Sequence, residues 1–387
     1  MNVARIAAMA RDVVALTEKL VSIDTAPGCS TVGMAEVLAG ELKALGASVK
    51  VQAGEWGGVA QRNLVARFGG DGAAGLILAG HIDTVPWQKE NRATARPERD
   101  GRTLYGRGSC DMKGPIAAQI EAAARTTGAL KRPLVLLYSY AEEVGCHGAM
   151  RAMDERGVVG DVRGAAAIVG EPTSCVPILA HKGYCVAKLR LAGRPAHSKD
   201  PWAGADASVA LGVLLVELHA LREALRREGD PACGLTPPCT TLNTGVISAG
   251  TAENIVPDRA EMLLEWRPVP GTDGEALRRR VQTCLDTACA AAPGVRGVLE
   301  WPAPLPPFRQ DASARLVTWL VERTGNQPGT VAFYTEAELY RAGLGVPTVV
   351  CGPGTIENAH RVDESIEFDE LEAGAVLYAD AITAFCG

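Results

Sequence analysis

The chain has 387 residues, of which 47% are hydrophobic, so it is long enough for two domains and has ample apolar material for both cores. A net charge of −6 without a basic run argues against nucleic acid as a partner. No stretch approaches the ~18 consecutive apolar residues of a membrane-spanning helix, which argues against a membrane protein. The eleven cysteines form no C-x-x-C pair, a pattern typical of reduced thiols, and this predicts a cytoplasmic protein.

The first 75 residues alternate between helical and strand patterns. The charged start predicts an amphipathic helix and no signal peptide, and residues 32–45 predict a second helix that ends at Gly46. Strands are predicted over residues 48–52 and 63–68. Residues 70–75 formally match G-x-G-x-x-G, but that nucleotide-binding fingerprint must open a helix and here a strand follows. We therefore interpret these glycines as a hairpin turn.

The stretch LILAGHIDTVP, residues 76–86, is the first candidate for a functional site. A short apolar run predicts a buried strand, which ends where His81 and Asp83 begin a loop. The side-chain period of two in a strand places His81 and Asp83 on one face, so the carboxylate can accept the imidazole N–H and leave the other nitrogen for a metal. A strand end with a solvated Asp is the alternative interpretation.

Other segments repeat this design. Asp111 lies in a glycine-rich turn before a predicted helix at 115–127, where an N-cap is the alternative role. Apolar strands also lead directly into Glu142 and Glu143, and into Glu171. Because an open α/β sheet gathers its site at the carboxyl ends of its strands, we expect these acids to converge.

At residue 181 the pattern changes to half-exposed strands, at 184–191 and 259–267, and helices, at 206–227 and 275–292. This alternation predicts a small α+β insert over residues 181–297, between two parts of a catalytic domain, 1–180 and 298–387. His360 follows the last buried strand, and a helix is predicted from residue 369.

Together these positions supply two histidines and at least three carboxylates, a nitrogen and oxygen ligand set suited to zinc, cobalt or manganese. The set exceeds what one tetrahedral ion needs, so it predicts two ions with a bridging carboxylate. Of Glu142 and Glu143, one can ligate while its neighbour transfers the proton of a water molecule.

Seven motifs, in order over nearly the whole chain, resemble the dinuclear-zinc amidohydrolase/exopeptidase family: GHIDTVP, YGRGSCDMKG, AEEVG, GEPT, GRPAHS, ENIVPD and GPG…AH. Its members include acetylornithine deacetylase, succinyl-diaminopimelate desuccinylase and glutamate carboxypeptidase, and HKG, TEA and GPG at residues 181–183, 335–337 and 352–354 are most similar to the first. The resemblance implies an α/β fold, with an α/β/α catalytic domain and an inserted lid that mediates homodimerisation. It also implies two divalent ions, Zn²⁺ with Co²⁺ as the alternative.

The resemblance also assigns residues. It implies that five side chains hold the ions: His81, Asp111 as the bridge, Glu143, Glu171 and His360. Glu142 is then the general base, Asp83 orients His81, and the Asp111–Met112 peptide is expected to be cis. His197 is expected to stabilise the oxyanion across the dimer.

For the substrate, the resemblance implies that Asn254, Arg267 and the backbone at Gly354 hold a free carboxylate. An inward-pointing Glu336 would favour a cationic side chain, and a solvated Glu336 is the alternative. The expected reaction is metal-dependent hydrolysis of a small N-acyl amino acid, most similar to N-acetyl-L-ornithine deacetylation in arginine biosynthesis. A desuccinylase, another deacylase or dipeptidase, and a non-catalytic binding relative are the alternatives, and AHRVDE departs from the expected AHQPDE at Arg361 and Val362.

Overall fold

A computed structural model describes residues 12–387 except 127, 129 and 303. The chain forms two compact units. Of the described residues, the first unit contains those up to 179 together with 310–329 and 335–387, and the second contains those within 180–309 and 330–334. The amphipathic helix predicted at the start is described from Val13 onward, and residues 1–11 of that prediction lie outside the described residues.

The helices and strands are numbered in chain order. The α-helices are α1 Val13–Val21, α2 Val32–Ala44, α3 Lys113–Thr126, α4 His147–Asp154, α5 Ala207–Arg227, α6 Gly274–Ala291, α7 Arg315–Thr324, α8 Ala337–Leu344 and α9 Phe368–Cys386. The strands are β1 Ser48–Trp56, β2 Val59–Phe68, β3 Leu76–His81, β4 Glu98–Asp100, β5 Thr103–Tyr105, β6 Leu134–Ser139, β7 Ala166–Val169, β8 Ile178–His181, β9 Cys185–Ala192, β10 Thr241–Ala249, β11 Arg259–Arg267, β12 Arg296–Glu300, β13 Phe308–Arg309, β14 Gly329–Val331, β15 Thr348–Val350 and β16 Ser365–Glu367.

The first unit is built on a mixed sheet in which the strands run in the order β1-β2-β6-β3-β7-β15-β8. The central strands β6, β3, β7 and β15 are parallel, whereas β1 and β2 are antiparallel to their neighbours. Every residue of β3, β6, β7 and β15 is buried, which explains their continuous apolar sequences. The strands β4, β5 and β16 form a separate small sheet.

Helices cover this sheet in two groups. In one group, α1, α3 and α9 pack together, and α3 and α9 contact β3. In the other, α4 and α8 pack on each other, and they contact β6 and β15 respectively. The arrangement confirms the predicted α/β fold class.

The predicted hairpin at residues 70–75 is wrong. The strands that flank it, β2 and β3, do not pair with each other, because both pair with β6, which lies between them. The glycine-rich segment therefore passes the N-terminal end of β6 as it connects β2 to β3. The Arg67 guanidinium fastens it by donating to the Gly70 carbonyl oxygen at 2.9 Å.

The second unit contains an antiparallel sheet in the order β10-β11-β9-β12, with α5 and α6 packed together beside it. Its strand β11 has the predicted bounds, and β9 alternates between buried and half-exposed residues as the sequence pattern indicated. The unit has its own hydrophobic core, in which Trp266 is almost fully buried. Asp206 caps α5 by accepting from the backbone N–H groups of Ser208 and Val209.

Within the described part of the chain, none of the helices combines the length and apolar character needed to span a bilayer. All eleven cysteines lie in this part, and each is a free thiol.

Candidate metal centre

The parallel strands of the first unit deliver acidic and histidine side chains to one edge of the sheet. β3 ends at His81, which is paired in register with Ser139 at the end of β6, and Glu142 and Glu143 follow three and four residues later. β7 ends two residues before Glu171. This convergence is what the topology of parallel strands requires, because their carboxyl ends all lie at the same edge.

Two groups of side chains within the described residues have the composition and closeness of metal sites. One contains His81, Asp111 and Glu171, and the other contains Asp111, Glu143 and His360, with the ligand atoms of each group within 4.8 Å of one another. The two groups share Asp111. Its Oδ1 lies 3.0 Å from His81 Nε2, and its Oδ2 lies 3.2 Å from His360 Nε2. Each oxygen of this carboxylate therefore faces a different histidine, which is the arrangement that a bridging ligand needs.

The electrostatics of the cluster fit bound cations. Asp111 and Glu171 are buried, and Glu171 Oε1 has no hydrogen-bond partner among the residues that the structure describes. Burial raises the pKa of Glu171 well above its ordinary value, and burial followed by the charge of Asp111 also raises the pKa of Glu143. Hydrogen bonds to Asp111 and Glu143 raise the pKa of His360 to about 10. Divalent ions would compensate this concentration of buried carboxylates and would use the orphaned oxygen as a ligand.

His81 is oriented differently from the expectation. Its Nδ1 lies 3.1 Å from the main-chain carbonyl oxygen of Asp83, whereas the Asp83 carboxylate is 3.6 Å away. The Nδ1–H therefore donates to a main-chain oxygen, and Nε2 points at Asp111. The Asp83 carboxylate instead accepts from the backbone N–H groups of Glu142 at 3.0 Å and Glu143 at 3.1 Å. Asp83 thus fastens the loop that carries both glutamates to the end of β3.

Glu142 lies beside the two groups and belongs to neither of them among the described residues. Its side chain is buried, and burial raises its pKa well above the ordinary value. The Cys146 thiol lies 3.6 Å from Glu142 Oε1. Glu142 is therefore a buried carboxyl group next to a cluster of candidate ligands, which is the position that a general acid–base group requires.

The loops around Asp111 and Gly354 have unusual backbone geometry. The Asp111–Met112 peptide is cis, which confirms the prediction. Gly354 has a φ of 82°, and a Cβ atom there would lie 2.7 Å from Cys110 Sγ, so a side chain would be excluded on both counts. Its carbonyl oxygen accepts from the Ser174 N–H at 2.6 Å.

Glu336 is completely buried, so the alternative of a solvated acid is wrong. Its carboxylate accepts from the Ser139 hydroxyl and, at 3.0 Å, from the Tyr340 hydroxyl. Ser139 is the last residue of β6, so Glu336 lies beside the end of a strand whose neighbour β3 ends at His81. Burial raises the pKa of Glu336 to about 7.

The remaining predicted site residues belong to the second unit, and the structure shows their local surroundings. His197 is exposed, and its Nδ1 accepts from the Lys199 N–H at 3.1 Å. Asn254 lies on the neighbouring segment, where its carbonyl oxygen accepts from the Ser198 N–H at 3.0 Å. The half-buried Arg267 donates to Glu265 at 2.6 Å and lies over the Tyr184 ring.

The sequence interpretation missed Glu364 and Arg107. Both are buried and form an ion pair of 2.6 Å next to Asp111 and His360. A signal was present, because Asp363 and Glu364 repeat the pattern of two adjacent acids seen at residues 142 and 143.

Comparison with known proteins gives concordant results. The model of Peptidase family M20/M25/M40 matches residues 77–384. The acetylornithine deacetylase of Myxococcus xanthus is 38% identical over 379 residues, covering 96% of this chain and 97% of that protein. A tripeptidase from Staphylococcus aureus superposes with a TM-score of 0.74 at 20% identity, covering 96% of this chain and 98% of that one. A dinuclear metal-binding peptidase from Bacillus subtilis gives a TM-score of 0.70 at 16% identity, covering 98% and 99% of the two chains, so both structures share the fold.

Proposed function

This chain belongs to Peptidase family M20/M25/M40, a family of metal-dependent hydrolases, and on that premise we propose that it removes the acetyl group of N-acetyl-L-ornithine to give L-ornithine and acetate. The observation that carries the chemistry is the buried Glu142 beside two ligand groups that share Asp111. The choice of substrate is supported by the identity of 38% with the deacetylase of Myxococcus xanthus, which extends over nearly the whole chain.

In this proposal, the first unit would hold two divalent ions. His81 and Glu171 would hold one ion, Glu143 and His360 would hold the other, and Asp111 would be shared by both groups. Nitrogen and oxygen donors of this kind suit Zn²⁺, with Co²⁺ as the alternative. When bound, the ions polarise the amide carbonyl and lower the pKa of water.

The side chains around the ions then carry out the proton transfers. Glu142 accepts a proton from the attacking water and delivers it to the amide nitrogen as the C–N bond breaks. Asp83 keeps Glu142 in place through the hydrogen bond to its backbone N–H. His197 donates a hydrogen bond to the oxyanion that forms on the carbonyl oxygen.

Substrate recognition is assigned to four further residues. Asn254, Arg267 and the backbone at Gly354 hold the substrate carboxylate, since a guanidinium offers a planar pair of donors. When its carboxyl group is ionised, Glu336 favours a cationic side chain through its negative charge. Ser139 and Tyr340 donate to different oxygens of the carboxylate, which leaves each oxygen a second lone pair for a substrate ammonium group.

We further propose that the protein is a cytoplasmic homodimer that associates through residues 181–297. The free cysteines support the location, and several large apolar side chains exposed on the second unit support the association. The exposed side chains are Val209, Val216, Val246, Ile247 and Val298.

The test is a substrate panel with the protein reconstituted in Zn²⁺ or Co²⁺. N-acetylornithine should have the highest kcat/KM, followed by other N-acyl amino acids. A higher value for N-succinyl-diaminopimelate or for a dipeptide would replace the proposed substrate. No hydrolysis of any amide by the metal-loaded protein would refute the proposed function as a whole.

A further inference from the structure

Glu364 lies completely buried beside the candidate metal centre. Its Oε1 accepts from three backbone N–H groups, those of Gly108, Cys110 and Asp111, each at 3.0 Å. Converging backbone N–H groups of this kind form a concave site for an anion. Here the anion is a side chain of the same protein, and one of the donors is the backbone of the shared ligand Asp111.

Arg107 completes the arrangement from the opposite side. Its Nη1 donates to Glu364 Oε2 at 2.6 Å, and its Nη2 donates to the Arg361 carbonyl oxygen at 3.0 Å. The Gly106 N–H also donates to the Glu364 carbonyl oxygen at 3.1 Å. These contacts join residues 106–111, which carry Asp111, to residues 360–364, which carry His360. We call the side chains of Glu364 and Arg107, with the three N–H groups, the Glu364 clamp.

A gain in folding stability alone does not explain why Arg107 and Glu364 form a buried ion pair. Two charges lose their hydration on burial, and apolar residues of similar volume often serve a core equally well. The clamp is placed instead where geometry matters, since His360 Nε2 lies 3.2 Å from both Asp111 Oδ2 and Glu143 Oε1. The His360 side chain is exposed, so packing surrounds it less completely than it surrounds the buried Asp111.

We propose that Glu364 and Arg107 are positioning residues that hold Asp111 and His360 at the spacing found in the group of Asp111, Glu143 and His360. They thereby set the affinity of this group for a metal ion. The inference rests on the proposed function, whose ligand assignments it uses. Glu364 and Arg107 are proposed to act through Asp111 and His360 and not through contact with the substrate amide or the attacking water. Groups that orient metal ligands are typically worth about 10–100-fold in metal affinity.

The experiment measures metal retention by the full chain. Wild type, Glu364→Gln and Arg107→Met are loaded with Zn²⁺ and challenged with graded chelator, and the zinc that remains per chain is determined by atomic absorption. Wild type should lose its ions in two steps. Both variants should lose the first ion at about 10–100-fold lower chelator activity. Glu357→Gln, the same substitution at an exposed position of the same loop, should match wild type.

A double variant tests whether Glu364 and Arg107 act together or affect metal affinity independently. In Glu364→Gln the new amide NH₂ must face either Arg107 or the three backbone N–H groups, which places donor against donor. In Arg107→Met/Glu364→Gln this conflict with Arg107 is absent, so the loss of affinity should be smaller than the product of the two single losses. A loss equal to that product would contradict a shared clamp.

The remaining outcomes are also decisive. Variants that retain both ions as tightly as wild type refute the clamp, whatever their activity. If circular dichroism shows that Glu364→Gln is unfolded, Arg107→Met is judged by the same criterion. A wild type that binds two ions but hydrolyses no amide refutes the proposed function and leaves the clamp intact.

Discussion

The two units present their candidate functional residues in opposite ways. In the first unit, His81, Asp111 and Glu171 are buried and lie within reach of one another. In the second unit, His197 and Asn254 are exposed, and their hydrogen bonds involve neighbouring backbone groups. The ligand cluster is therefore assembled by the fold of the first unit alone, whereas the exposed turns of the second unit leave His197 and Asn254 accessible to a substrate.

The largest effect is expected from Glu142→Gln in the first unit. Removal of the proton-transfer group should lower kcat by about 10²–10⁴-fold, the range typical of general acid–base catalysis. The measurement is steady-state turnover of N-acetylornithine, with the exposed Glu357→Gln as the matched control. Activity within about threefold of wild type would remove Glu142 from the mechanism.

In the second unit, His197→Ala should lower kcat by about 10²–10³-fold, as expected for the loss of one oxyanion donor. Zinc content should stay unchanged, since His197 is not in either ligand group. His219→Ala, at an exposed position of α5, is the control and should retain full activity.

Subunit mixing tests whether His197 acts across the dimer. Inactive Glu142→Ala and inactive His197→Ala proteins are combined and allowed to exchange subunits. A heterodimer would join one intact metal site to one intact His197, so activity should return in one of the two sites of each heterodimer. If mass spectrometry shows exchange and the mixture stays inactive, His197 does not act in trans.

A smaller effect is expected from Arg267→Met, which removes the planar donor pair for the substrate carboxylate. Loss of a hydrogen bond to a charged group should lower kcat/KM by about 10–100-fold, mainly through KM. The methyl ester of the substrate should show the same loss with wild type and no further loss with the variant. The exposed Arg296→Met serves as the control, and equal rates for ester and acid would remove Arg267 from the site.

The smallest effect compares a helix cap in each unit. Asp12→Ala removes the cap of α1, and Asp206→Ala removes the cap of α5. Each should lower the free energy of unfolding by about 1 kcal/mol without changing kcat. Chemical denaturation measures the first quantity and turnover the second. A loss of turnover in Asp206→Ala would show that the second unit contributes to catalysis through its stability as well as its side chains.

The sequence predicted the candidate ligands because each follows a readable local signal. His81 ends an apolar strand and Glu171 follows one closely. Parallel strands bring their carboxyl ends to the same edge of the sheet, whatever the conformation of the loops that follow. The adjacent acids Asp363 and Glu364 gave a signal for the Glu364 clamp but not for its contacts, since the three N–H groups that surround the Glu364 carboxylate face one point only after residues 108–111 have folded. The hairpin at 70–75 failed for a related reason, because the pairing of β2 with β6 is a long-range contact that the local pattern does not encode. The predicted hydrogen-bond partner of His81 was the Asp83 carboxylate, whereas the observed partner is the Asp83 main-chain oxygen. Every residue has such an oxygen, so the sequence does not indicate which one an imidazole will contact.

The central claim is that the first unit separates metal binding from proton transfer at two adjacent glutamates. Zinc per chain and turnover, measured together for wild type, Glu142→Gln and Glu143→Ala, test it most directly. We expect two ions in wild type and in Glu142→Gln, fewer in Glu143→Ala, and low turnover in both variants. An empty Glu142→Gln protein beside a fully loaded Glu143→Ala protein would reverse the two roles and refute the assignment.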